Sequence, residues 1–166
     1  MVFPSFTNGN IARVTNNGTG PSAAIATTES FGEQGDGARI GFYPPIVSNG
    51  VDPRIYSGSW RLFICSNCDN PQVNLDGGIP PNWTAPGGMF DQTRGGNDVL
   101  SAITIARSNL NVIYSGSTEG RAMVSTDGGA NWTNITAGLP DRSIRTIAVS
   151  PTNPALVYLT VSGYGT

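Results

Sequence analysis

The residues of this chain best suited to chemistry sit in its turns. Glu33, Asp36, Asp91, Asp98, Glu119 and Asp141 are carboxylates in Gly-, Pro- and Asn-rich stretches, and Arg61, Arg94 and Arg142 are near them. Trp60 follows Gly-Ser at the tip of a short turn. Two carboxylates held across one bond are what hydrolysis of a glycosidic linkage requires. An exposed Trp offers a flat apolar face to a sugar ring, or an anchor to a protein interface. The competing readings are simpler. Loops are naturally polar, so each acid serves equally as solvated loop charge. Most large aromatics are mainly buried, so Trp60 packs equally well under a neighbouring long loop. Spacing alone pairs no two of the acids.

Other residue types set limits. Both cysteines lie in C-S-N-C, as Cys65 and Cys68. Zinc would need two more good ligands, and there is neither a His nor a second Cys pair. A thioredoxin-like role would need the first Cys at a helix N-terminus in a βαβ unit, which the sequence does not show. A local disulfide and two free thiols both remain open. Cys68–Gly78 is rich in oxygen ligands, but its spacing fails the EF-hand pattern, so no metal is assigned. The absence of His also excludes His-based triads. All nine basic residues are Arg, and a net charge of −2 argues against nucleic acid as partner. No apolar run approaches membrane-spanning length, and no cofactor motif is present. Met1–Thr7 lacks the features of a signal peptide, so an export signal is either already removed or the chain is a piece of a longer one. Sequons at Asn17, Asn82, Asn131 and Asn134 matter only where secreted proteins are glycosylated.

The elements that must position these residues are read from an internal repeat. I-Y-S-G-S occurs at Ile55–Ser59 and Ile113–Ser117, and a weaker copy is Leu156–Gly163. N-W-T occurs at Asn82–Thr84 and Asn131–Thr133. The step from Tyr114 to Tyr158 is about 44 residues, the length of a propeller-type repeat. The step from Tyr56 to Tyr114 is longer, so that unit carries an insertion. Within each unit, short β-branched and aromatic runs are separated by Gly, Asn and Asp, the pattern of hairpin-linked strands. No window has helical periodicity. Strands A to D are expected at 101–108, 111–117, 121–125 and 131–136. The preceding set is Gly41–Ser48, Arg54–Gly58, Arg61–Cys65 and Trp83–Ala85. Ser143–Ser150 and Leu156–Val161 read as A and B. Asn10–Thr15 and Ala23–Thr28 read as C and D, with Val2–Thr7 a leftover B. The fold class is therefore all-β. One domain is expected, with a partial blade at 1–30, blades at 40–85 and 101–136, and a partial blade at 143–166.

S-T-D-G-G-A-N-W, Ser125–Trp132, resembles the Asp-box, or BNR repeat, of β-propellers, with Asn131 where Thr is usual. The resemblance is strong over 101–162 and degraded before it, where Cys65, Ser66 and Asn67 take the Ser, Thr and Asp places. It implies a structural role for Ser125, Asp127, Gly129 and Trp132, in a C–D turn away from the ligand face. Asp can accept hydrogen bonds from backbone N–H groups further along a turn, and Gly permits positive φ there.

The same resemblance implies where a ligand would bind. Propeller ligand faces collect the D–A loops, here Glu29–Arg39, Pro86–Leu100 and Ala137–Arg142, and the B–C turns, here Ser59–Trp60 and Ser117–Gly120. Trp60, Arg61, Asp91, Arg94, Asp98 and Glu119 are the candidate ligand-binding residues. The expected function is a non-catalytic propeller module for assembly or for binding a glycan or protein. One alternative is a fragment or relative of the Asp-box glycoside hydrolases, such as sialidases and xyloglucan-cleaving enzymes. No sialidase-type Arg motif is present, however, and no catalytic residue is assigned. A sortilin-like protein-binding propeller is the other. The resemblance implies a secreted or cell-surface location. About three blades' worth of strands is too few for a ring of four to eight. A second copy of the chain, pairing A and B with the first copy's C and D, is expected to close six blades as a homodimer.

Overall fold

The computed structural model describes residues 10–15, 19–31 and 39–163. The expected strand at Val2–Thr7, the acids Glu33 and Asp36, and the sequon at Asn17 lie outside the described residues. The chain is all-β, built of antiparallel sheets in sequence order. The first pairs β1 (Ile11–Val14) with β2 (Ser22–Ala26). The second is a meander of β3 (Ile46–Ser48), β4 (Ile55–Gly58), β5 (Leu62–Cys65) and β6 (Trp83–Thr84). The third repeats it with β7 (Leu100–Ile105), β8 (Ile113–Ser117), β9 (Ala122–Ser125) and β10 (Thr133–Asn134). The fourth pairs β11 (Ile144–Val149) with β12 (Val157–Val161).

Most expected strands are shorter than their patterns, and 131–136 keeps only Thr133–Asn134. Gly41–Ser48 reduces to Ile46–Ser48, because Pro44 and Pro45 have no N–H to give a ladder. Ala23–Thr28 ends at Ala26, and a 3-10 turn, Thr28–Phe31, then drives Phe31 into the core. The sheets stack face to face, so central strands are covered on both sides. Every residue of β4 and β8 is buried. Three apolar layers result. One joins the first and second sheets around Ile25, Phe31 and Phe63. One joins the second and third around Tyr56, Leu62 and Leu100. One joins the third and fourth around Tyr114, Ile144 and Ile147.

The repeated glycine explains how closely the sheets stack. A Cβ on Gly58 would lie 2.8 Å from a Leu100 methyl of the next sheet. A Cβ on Gly116 would lie 2.5 Å from Ile144 Cγ2, again in the next sheet. Leu100 and Ile144 hold matching places, each just before a register shift in its A–B pair. The third copy of the repeat departs here, with Thr160 at the glycine position. Its tyrosine differs too: Tyr56 and Tyr114 are 0% and 6% exposed, whereas Tyr158 is 65% exposed.

Candidate functional site

In a four-stranded meander, the A–B and C–D connections emerge at one end. The B–C turn and the link to the next sheet emerge at the other. The two ends of this molecule have different chemistry.

At the C–D end, Ser125–Trp132 is a turn bonded to itself. Ser125 Oγ accepts from Gly129 N at 2.8 Å and donates to Asp127 Oδ1 at 2.8 Å. Asp127 Oδ1 accepts from Asn131 N at 2.9 Å, and Oδ2 from Asn131 Nδ2 at 2.7 Å. The Asn131 backbone and amide donors, with Ser125, hold the Asp127 carboxyl down at about 2. Gly129 has φ 96°, and a Cβ there would also press within 3.0 Å of Leu62 in the preceding sheet and of Pro86 in the loop that follows that sheet. Trp132 donates its indole N–H to Gly129 O at 2.9 Å and packs on the layer between the second and third sheets. Ser125 Oγ, both Asp127 carboxylate oxygens and the Trp132 indole N–H are thus engaged in holding the turn.

The matching turn of the second sheet does the same job differently. Cys65 and Cys68 form a disulfide, which settles the two readings left open by the sequence. Asn67 Oδ1 accepts from Asn82 N at 2.7 Å, as Asp127 does from Asn131. Asn82 Nδ2 donates to Ser66 Oγ at 2.9 Å. The oxygen-rich insertion uses its amides as turn-makers: Asn70 Oδ1 accepts from Gln72 N, and Asn74 Oδ1 from Asp76 N and Gly78 N.

The B–C end carries the candidate residues. Trp60 is half-buried, with the Arg39 and Arg61 guanidinium groups 5.4 and 4.8 Å from its ring centroid. Its carbonyl accepts from Gln92 N at 3.1 Å, so the 86–98 loop is tied to it. Trp60 is therefore packed between loop residues rather than held out as a bare platform. Arg61 also donates to Gly88 O at 2.7 Å. Arg39 clasps the loop: it bonds Asp91 at 2.7 Å, Thr93 Oγ1 at 2.5 Å and Asp98 O at 2.9 Å. Desolvation pushes the Asp91 carboxyl up, but hydrogen bonds from Arg39 and Thr93 outweigh it and leave Asp91 below its ordinary value. Asp98 is fully buried. Its oxygens accept from Thr118 Oγ1 at 2.7 Å, Glu119 N at 2.8 Å and Arg94 N at 2.8 Å. Asp98 thus positions the 117–120 turn and presents nothing to solvent.

Arg94 and Glu119 are exposed and stand together. With Thr118, Asp141, Arg142 and Ser143 they border an open cleft of about 600 Å³. Arg94 is ion-paired with Asp141. Glu119 and Arg142 have no side-chain hydrogen bond or ion pair among the described residues, and Ser143 Oγ is buried without a partner. Sequence reasoning missed Arg39, Thr93 and Ser143. The Asp91-x-Thr93 spacing is a turn signal that would have found Thr93. Arg39 lies more than fifty positions from the groups it bonds, and nothing local marks it. The exposed aromatics of these loops are Phe42, Tyr43 and Phe90.

No protein-family model matches the chain, and no curated protein matches it. Among solved structures, it is similar to an ancestral GH74 enzyme, with a TM-score of 0.50 and 17% sequence identity. The match covers 96% of this chain and 21% of that enzyme, so the chain spans about a fifth of its length. The likeness is one of fold, and it relates these stacked sheets distantly to β-propeller blades.

Proposed function

We propose that this chain is part of a β-propeller whose B–C end binds a glycan without cleaving it. The observation that carries this reading is the cleft bordered by Arg94, Thr118, Glu119, Asp141, Arg142 and Ser143. It mixes donors and acceptors and has little apolar lining, which suits a hydroxyl-rich ligand better than an apolar one. Binding without cleavage fits the use already made of the acids. Asp91 and Asp98 are taken up by internal bonds, and Asp141 is ion-paired. Calorimetric titration with neutral and acidic oligosaccharides tests it. Arg142→Ala and Glu119→Ala each lower affinity tenfold or more. Unchanged affinity in both variants would reject the cleft, and binding of proteins alone would favour the sortilin-like alternative.

A second reading is a relative of the glycoside hydrolases. It is favoured by the likeness to a GH74 enzyme, a β-propeller glycoside hydrolase, and by Glu119 and Asp141 bordering one cleft. Turnover of any glycosidase substrate that falls more than a hundredfold in both Glu119→Gln and Asp141→Asn would establish it. A secreted or cell-surface location belongs to the same proposal, and the Cys65–Cys68 disulfide supports it, because disulfides persist in oxidising compartments. The partner proposed for the open Tyr158 face is a second copy of the chain. Light scattering at several concentrations reads that directly: a stable dimer is the expected result, and a monomer throughout excludes it. Thr160 would hold such a neighbour further off than Gly58 and Gly116 do.

A further inference from the structure

The segment between Cys68 and Pro81 does more than connect β5 to β6. It reaches across to the first sheet and holds it. Arg13 of β1 is only 2% exposed, and its guanidinium donates to Cys68 O at 3.2 Å, Asn70 O at 2.5 Å and Pro71 O at 2.7 Å. Leu75 N donates to Ala24 O of β2 at 3.0 Å. Val73, fully buried, joins the layer formed by Ile11, Ile25 and Phe31. The strap is folded on itself by Val73 N to Asn70 O and Ile79 N to Gln72 O, both at 3.0 Å. Its outer part, 75–80, is exposed.

The strap's root is held by the disulfide together with the hydrogen bonds of Ser66 and Asn67 to Asn82. In the third sheet, Ser125 Oγ closes the equivalent turn by accepting from Gly129 N. Cys65 has no such oxygen, and the bond to Cys68 takes its place. That bond spans only three positions, so it restricts the unfolded chain little, and its effect is local. It fixes the Cys68 carbonyl under Arg13. Burying an arginine is costly unless its donors are met, and here the two terminal nitrogens are met by carbonyls, while Nε is buried without a partner and no carboxylate pairs with the group among the described residues.

We propose that Cys65–Cys68 is a redox latch, and that its reduction releases the strap and with it the first sheet. The step is thiol–disulfide exchange with a dithiol. A reductant thiolate attacks one cysteine sulfur, forming a mixed disulfide and expelling the other cysteine as thiolate. The second reductant thiol then displaces the first cysteine and leaves as a cyclic disulfide. The protein gains two electrons and two protons, both supplied by the dithiol. Both cysteines are fully buried, so attack requires a transient local opening, which loss of the disulfide then makes lasting.

Hydrogen exchange read by mass spectrometry, on the 166-residue chain with and without dithiothreitol, tests this. Alkylation of the two thiols reports the extent of reduction. Reduction is expected to lower protection at least tenfold over 68–81 and over β1–β2, with 100–161 unchanged. The double variant Cys65→Ala, Cys68→Ala, which leaves no turn-closing hydroxyl, should show that same pattern without reductant and ignore its addition. Should the variant not fold, the reductant experiment on the unaltered chain decides alone. Full reduction with 68–81 still protected overturns the proposal, as does protection lost equally across all four sheets.

Discussion

The second and third sheets follow the same plan and differ at their C–D turns. In the third, five bonds centred on Ser125 and Asp127, with a sixth from Trp132 to Gly129, close a compact turn. In the second, a disulfide and the neutral Asn67 close a turn interrupted by an insertion. Strand pairing survives the exchange: Thr84 sits opposite Ile64 as Thr133 sits opposite Val124. The tryptophans keep their place but change partners. Trp132 bonds within its own turn, whereas Trp83 donates to Ile25 O of the first sheet at 2.7 Å and packs edge-on to Phe31. A blade therefore fixes where its turn must begin and end, and leaves open how the turn is locked. A covalent lock at the root lets a long insertion leave and still return in register.

The sharpest test of the shared plan lies at the repeated glycines. Gly116→Ala should cost about 3 kcal/mol, because its new methyl meets the branched Ile144 at Cγ2 and Cβ. Gly58→Ala should cost less, about 1–2 kcal/mol, since its nearest neighbour is a Leu100 terminal methyl that can rotate away. Urea unfolding measures both, and the opposite order would break the comparison. Next come the tryptophans. Trp132→Ala and Trp83→Ala should each cost about 2–3 kcal/mol, below the range for fully buried aromatics because both are half-buried. Hydrogen exchange should place the weakening between the second and third sheets for Trp132 and at β2 for Trp83.

The smallest effect separates the two locks by charge. The folded Asp127 carboxyl titrates at about 2, below its ordinary 3.8. A depressed acid stabilises the folded state above its unfolded value, and that stabilisation is lost as pH falls toward 2. The melting temperature of the unaltered chain should therefore approach that of Asp127→Asn between pH 4 and pH 2. Asn67→Asp, placing a carboxylate in the second turn, should create a new pH dependence in the same window. A constant gap across that range would show that the Asp127 charge contributes nothing.

The repeat made the fold class legible, because I-Y-S-G-S and N-W-T mark the strands most constrained by stacking. Gly116 and Trp132 are constrained by neighbours in other sheets, and that pressure appears as recurring residue type. The strap was not legible. Its contacts depend on Arg13, more than fifty positions away, and on backbone carbonyls that any residue supplies. The B–C end was partly legible. Arg94 and Glu119 do border one cleft. Burial of Asp98 and the packing of Trp60 between guanidinium groups follow from Arg39 and the 86–98 loop, which carry no repeat signal.

Ligand binding is proposed for the B–C end, and turn-locking belongs to the C–D end. Nitrogen-15 NMR titration with oligosaccharides tests it on a single sample. Saturable shifts are expected at the amides of Glu119, Arg142 and Ser143, with those of Gly129 and Asn131 unmoved. Saturable shifts confined to 125–132, or none with any oligosaccharide, would contradict it.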